Sequence, residues 1–331
     1  MGLVCFFTSC KNNNIPDVSN IKVELRIQRF EKDLFLMDTN NIISGLEKLK
    51  VNYPVFLNDF TQKILGFDSQ TPQDTLAKYL RLFIRDYRFA KDSADTMFND
   101  FSKYQSEIKR GLQFVKYYFP SYHTPSKVIT FIGPFDGYSD VLTTDAMAVG
   151  LQLHLGKDFS FFKNGPGKEL FPDYIAQKFE PEYIPVNCLK NIVDDMYPDK
   201  STGKALIVQM IEKGKRLYLL DKFLPYTKEF LKIGYTEMQL KDSYTNEAII
   251  WDFFLTNDLL NNGDQNIVKN YIGESPKTQE LGEGSPGNIG TFSGWQIVKK
   301  FMSTNKNVSL TQLMQMDARE IYSQSKYKPR N

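Results

Sequence analysis

Ser285-Pro286-Gly287-Asn288-Ile289-Gly290-Thr291-Phe292-Ser293-Gly294-Trp295-Gln296-Ile297-Val298 is the least ordinary stretch of the chain. Gly287, Gly290 and Gly294 stand three and four residues apart. Ser293 followed by Gln296 has the form of a capping box and marks a helix start. Glycine inside a helix costs about 1 kcal/mol relative to alanine, so glycines here need a reason. The favoured reason is close approach of the helix start to another backbone, with Trp295, Val298 and Met302 turned inward and Lys299 exposed. The second reading is a ligand cleft at the helix N-terminus. Glu283, Gly287, Gly290, Gly294 and Trp295 are therefore the candidate cleft or helix-packing residues.

Outward from this stretch the chain reads as mostly helical. Residues 275–290 hold four Gly and two Pro and predict a long loop. Ser309 with Gln312 predicts a second capped helix near the C-terminus. Residues 205–220 and 246–260 carry the strongest helical periodicity, and Pro172, Pro181, Pro185 and Pro198 divide the region before them. Thr71-Pro72-Gln73-Asp74 opens a helix whose face holds Leu76, Tyr79, Leu80 and Phe83. Further helices are expected over 93–118 and 144–155, the latter stopped at Gly156. Alternation over 21–27 predicts a half-buried strand, and the β-rich run 128–132 a buried one. Residues 29–35 read as a turn or short edge segment, and Asn164-Gly165-Pro166-Gly167 as a loop. The expected fold class is mainly α with a small β-sheet (α+β). A signal segment over 1–10 and a polar tether over 11–20 precede a single globular domain over 21–331.

Composition narrows the function classes. Net charge is +2, from 41 basic and 39 acidic residues, which argues against nucleic acid as a partner. Hydrophobic content of 41% supports a substantial core. The 26 Phe and 18 Tyr read first as core packing, and second as a glycan- or peptide-binding face. Cys188 lies among Val186, Leu189 and Ile192 and reads as a small buried hydrophobe.

The other two cysteines, Cys5 and Cys10, fall in the first ten residues. A short apolar run, Ser9, Cys10 and then Lys11-Asn12-Asn13-Asn14 have the order of a bacterial lipoprotein signal. Acylation of the Cys10 thiol would anchor the chain, since each buried methylene contributes about 0.8 kcal/mol. The pattern departs from the usual one in two respects. Phe7 stands where Leu is common, and no Lys or Arg precedes the run. A start codon further upstream would account for the second. No later stretch has the length of a transmembrane helix.

No familiar catalytic constellation is present. The only histidines are His123 and His154, with no His-Glu-x-x-His and no Cys-x-x-Cys. His154 is expected at a helix end, near the negative end of the dipole, and His123 in a loop. There is no Gly-x-Ser-x-Gly elbow. Gly282-Glu283-Gly284-Ser285-Pro286-Gly287 fits neither phosphate-binding pattern. Carboxylate pairs such as Asp194-Asp195 and Glu280 with Glu283 are expected by chance among 39 acids. The sequence thus predicts no catalytic residue, no metal site and no cofactor.

Four stretches resemble the GldB family of gliding-motility lipoproteins of Bacteroidetes. They are Arg29-Phe30-Glu31-Lys32-Asp33-Leu34-Phe35, Gly150-Leu151-Gln152-Leu153-His154-Leu155-Gly156-Lys157-Asp158, the stretch quoted above continued to Met302, and Ser325-Lys326-Tyr327-Lys328-Pro329. The resemblance implies export, lipid attachment at Cys10 and gliding-machinery proteins of the envelope as partners. No acidic run follows Cys10, which favours the periplasmic face of the outer membrane over the cell surface. A more distant likeness to metallopeptidase-like helical folds, with the metal motif absent, is a fold-level analogy only. The leading expectation is a non-enzymatic lipoprotein acting through protein contacts. The alternatives are a lipid-anchored hydrolase of peptide or glycan, working through carboxylates or a weakly held metal, and an envelope glycan-binding module.

Overall fold

The computed structural model describes residues 15–329, so the Cys10 reading and the first part of the tether lie outside the described residues. The protein is 57% helical with a small four-stranded sheet. Strand β1 (Arg26–Arg29) runs directly into α1 (Phe30–Phe35). Then come α2 (Ile42–Asn52), α3 (Phe56–Asn58, prolonged by a π-helical turn to Ile64), α4 (Gln73–Asp86), α5 (Arg88–Met97) and α6 (Ser102–Tyr118). Strands β2 (Lys127–Phe131), β3 (Asp140–Leu142) and β4 (Met147–Gly150) follow, then short helices α7 (Ser160–Lys163), α8 (Gly165–Leu170) and α9 (Asp173–Ala176). The remainder is helical. It comprises α10 (Tyr183–Met196), α11 (Leu206–Phe223), α12 (Glu229–Ile233), α13 (Glu237–Thr245), α14 (Glu247–Thr256), α15 (Gln265–Ile272), α16 (Ile289–Thr304), α17 (Leu310–Gln315) and α18 (Ala318–Ser325). The expected class, mainly α with a small sheet, is the one observed.

The sheet order is β1-β2-β4-β3. β1, β2 and β4 are parallel, and β3 closes the far edge antiparallel to β4. Helix α10 packs on β3 and α6 and also against α11, which in turn packs on α16. It therefore joins the sheet to the C-terminal helices. Buried apolar side chains from Val18 to Ile321 form one continuous cluster.

The structure corrects several local expectations. Val23 and Leu25 are buried as the alternation predicted, but ladder pairing begins only at Arg26. Of residues 29–35, Arg29 ends the edge strand β1, but 30–35 are a helix, with Phe30, Glu31, Leu34 and Phe35 burying one face of α1. Glu31 is paired with Arg29 at 2.6 Å and accepts from the Thr130 hydroxyl at 2.7 Å. Arg29 also donates to the Phe98 carbonyl at 2.8 Å, so this buried pair ties α1 to β2 and α5. The helix expected over 93–118 is two helices. Phe98 and Phe101 turn into the core between them, and the Asp100 carboxylate accepts from the Ser102 amide at 2.8 Å. The helix expected over 144–155 is β4 and one 3₁₀ turn. Every β4 residue is buried, and short apolar runs of that kind carry no periodicity that separates strand from helix. Gly165-Pro166-Gly167 opens α8 instead of remaining loop, with Pro in its first turn.

Most of the described phenylalanines are core, with Phe89 an exposed exception. Phe30 packs edge-on to Tyr53 and Phe56, with centroids 5.1 and 5.0 Å apart, and Phe56 and Phe60 both reach Phe131. Phe98, Phe114, Phe162, Phe223, Phe254 and Phe292 are also fully buried.

Candidate functional site

The site centres on the start of α16. The helix begins at Ile289, four residues earlier than the Ser293–Gln296 pattern implied. Its N-cap, Asn288, is left-handed at φ 60°, and no side chain caps the first turn. Ser293 is instead buried and donates back to the Ile289 carbonyl at 3.4 Å. The Ser309–Gln312 box forms as expected, with both reciprocal hydrogen bonds. An unforeseen box forms at Thr236 and Gln239.

Packing accounts for the glycines. Helices α11 and α16 cross backbone to backbone at Gly214 and Gly294. A Cβ on Gly214 would stand 2.7 Å from the Trp295 amide nitrogen and closer still to the Gly294 carbonyl. A Cβ on Gly294 would meet the Met210 backbone, 3.0 Å from its Cα and nearer to its carbonyl. Gly290 faces the Tyr271 carbonyl and Met210, and Gly287 lies against the Ser275 backbone. The loop is pinned by buried hydroxyls. Tyr235 donates to the Gly287 carbonyl at 2.9 Å and Thr278 to the Pro286 carbonyl at 2.8 Å. Glu283 stands apart from this cluster: it is exposed and paired with Lys277.

Trp295 is fully buried and anchors a polar network. Its indole N–H donates to Asp221 Oδ2 at 2.9 Å. The other Asp221 oxygen accepts from Lys232 at 3.0 Å, and the Lys232 side chain is 3% exposed. Lys299 is not the free surface residue expected. Its ammonium lies 3.5 Å from the centroid of the Trp295 indole and bonds Glu229 at 2.7 Å and the Tyr244 hydroxyl at 3.0 Å. Burial alone would lower the Lys299 ammonium, but Asp221, Tyr244 and Glu229 together hold it above its ordinary value. Burial likewise acts to raise Glu229, and Lys299 and Tyr244 outweigh it, leaving the carboxyl below its usual range.

His154 sits elsewhere, and not at a helix end. It follows a 3₁₀ turn and is buried, with Nε2 donating to Asp140 at 2.9 Å. Asn187 donates to the same carboxylate at 2.8 Å, so Asp140 joins the edge strand β3 to α10. Neighbouring Cys188 is buried, and burial, with Asp140 adding to it, pushes its thiol well above the ordinary value. His123 lies in an exposed loop as expected. Among the described residues no three His, Cys, Asp or Glu side chains stand close enough together to hold a metal ion.

Sequence reasoning found Gly287, Gly290, Gly294 and Trp295 but missed Gly214, Asp221, Lys232 and Glu229. An isolated glycine within the strongly periodic 205–220 region was the available signal for Gly214.

No curated protein and no solved structure matches the chain, so the analogy with metallopeptidase folds gains no support from a known structure. The family described as gliding motility protein GldB matches residues 11–329, nearly the whole chain. The chain therefore belongs to the GldB family of gliding-motility lipoproteins.

Proposed function

We propose that the protein is a non-enzymatic lipoprotein that supports gliding through contacts with other envelope proteins of the motility machinery. Acyl chains on Cys10 hold it at the membrane, on the periplasmic face of the outer membrane, and residues 11–20 act as its tether. The observation that carries this reading is the family match over 11–329, whose first residue directly follows Cys10. Two structural features accord with it. The charged side chains around Trp295 are engaged with one another. Among the described residues no helix is long and apolar enough to cross a membrane.

An apolar groove offers one surface for such contacts. It is floored by Phe114, Phe223, Leu224 and Leu231 and flanked by the exposed Tyr226. The test is a clean deletion complemented with the wild-type gene or with Cys10→Ala. Deletion is expected to abolish colony spreading, wild type to restore it, and Cys10→Ala to fail while leaving soluble protein. Spreading by the deletion strain would overturn the reading, and full rescue by Cys10→Ala would remove the lipid from it.

A further inference from the structure

A cavity of about 270 Å³ opens between α10, α11, α12 and the start of α16. Four cations line it: Lys190, Lys213, Arg216 and Lys232. Three of them have a carboxylate within 4 Å. Lys232 meets Asp221 at 3.0 Å, Arg216 meets Asp194 at 3.7 Å, and Lys213 meets Asp199 at 3.9 Å. Lys190 has no carboxylate that close among the described residues and forms no hydrogen bond through its side chain there. Burial, with repulsion from Lys178, pushes its ammonium down to about 8. Arg216 Nε is buried and makes no hydrogen bond, with Asp194 3.7 Å away, while its two terminal nitrogens are spent on the Glu212 and Tyr197 carbonyls.

Part-buried Lys190 on α10 and Arg216 Nε on α11 thus both line the cavity without a hydrogen-bond acceptor from the described residues. The start of α16, whose first turn no side chain caps, lines the same cavity through Asn288 and Thr291. The positive end of that helix dipole favours an anion. One unpaired cation calls for a single negative charge. Asp194 and Glu274, which also line the cavity and partly offset Lys190, would repel a phosphate dianion about twice as strongly as a monoanion. Val193, Leu217 and Ile233 supply an apolar wall, suited to the carbon skeleton behind a carboxylate.

We propose that this cavity binds a carboxylate group, from a peptide C-terminus or a small organic acid, with Lys190 as its counter-ion. Capture of a chain's terminal carboxylate by backbone amides is a recurring recognition mode. The site stands independently of the gliding reading, since it rests only on the cavity and the cations that line it.

The test is calorimetric titration of the full-length chain with acetyl-Ala-Ala as the free acid, the same peptide as its amide, acetate, and inorganic phosphate. The free acid is expected to bind and the amide to bind at least about tenfold more weakly. Lys190→Met should abolish that preference, Lys190→Arg should restore it, and Lys213→Met should leave it unchanged. Acetate matching the peptide acid assigns the site to small acids, and tighter binding of the peptide acid assigns it to chain ends. Equal binding of acid and amide, no binding of either acid at about 10 mM, or phosphate preferred over both would overturn the proposal. The acid–amide comparison uses the wild-type chain, so it stands even where a Lys190 variant fails to fold.

Discussion

The crossing of α11 and α16 yields the sharpest prediction, because there the structure sets both the sign and the size. Alanine at Gly214 would place a methyl 2.7 Å from the Trp295 nitrogen. Ordinary contacts between heavy atoms lie at about 3.5–4.0 Å, so the helices must separate by roughly 1 Å. The atoms in the way are backbone on both sides, so no rotamer change relieves the clash. Separation loosens the packing of Met210, Ile211, Leu217, Trp295 and Val298, all buried. A gap of about 0.5–1 Å already forfeits a quarter to a half of each dispersion contact. Overpacking of this kind costs about 1–3 kcal/mol and occasionally more. Better helix propensity returns at most about 1 kcal/mol. Rigid backbone contact puts this case at the upper end, for a net loss of about 2–3 kcal/mol. Gly284→Ala is the control, since a methyl there meets nothing within 4 Å, and it should stay within about 0.5 kcal/mol of wild type. Urea unfolding followed by circular dichroism measures all three. A Gly214→Ala midpoint indistinguishable from that of Gly284→Ala would refute the backbone-contact account.

Three further outcomes follow from the same region. The clashes made by Gly214→Ala and Gly294→Ala are both relieved by the same separation of α11 and α16, so the double variant should lose less stability than the two single losses together, with coupling of about 1 kcal/mol or more; simple additivity in urea midpoints would contradict this. Asp221→Asn leaves Lys232 buried without its carboxylate and should cost about 3 kcal/mol, whereas Trp295→Phe removes one hydrogen bond and some ring packing and should cost about 1–3 kcal/mol; the reverse order would show that Asp221 does not chiefly neutralise Lys232. Glu229 is held below its ordinary value of 4.5, so it contributes stability that is present above that value and lost as pH falls through the lower folded-state value. The stability gap between wild type and Glu229→Gln should therefore narrow from pH 7 to about pH 3, and parallel pH curves would exclude the coupling.

Much of this region was legible in the sequence because its signals are local. The stability cost of glycine in a helix pointed to close packing at Gly294, and α11 announced itself by periodicity. The Ser293–Gln296 pattern misplaced the start of α16 because a buried serine can hydrogen-bond its own helix as readily as it can cap one. The polar network was not legible: Trp295 and Asp221 lie 74 residues apart, and Lys299 and Glu229 lie 70. Nothing in local spacing connects them, and a lysine on a helix reads as solvated until its partner is seen. Strand β4 was misread for a different reason. Burial on every residue erases the alternation by which strands are recognised. The same burial hid the role of His154, whose partner Asp140 belongs to the edge strand that β4 supports.

The central proposal is that the chain supports gliding through contacts with other motility proteins of the envelope. It is tested most directly by in-cell cross-linking of the native lipoprotein, followed by capture and mass spectrometry. The account predicts that components of the gliding machinery are recovered from gliding cells and are lost with Cys10→Ala. Recovery of no motility protein from gliding cells, with the bait itself captured efficiently, would contradict it.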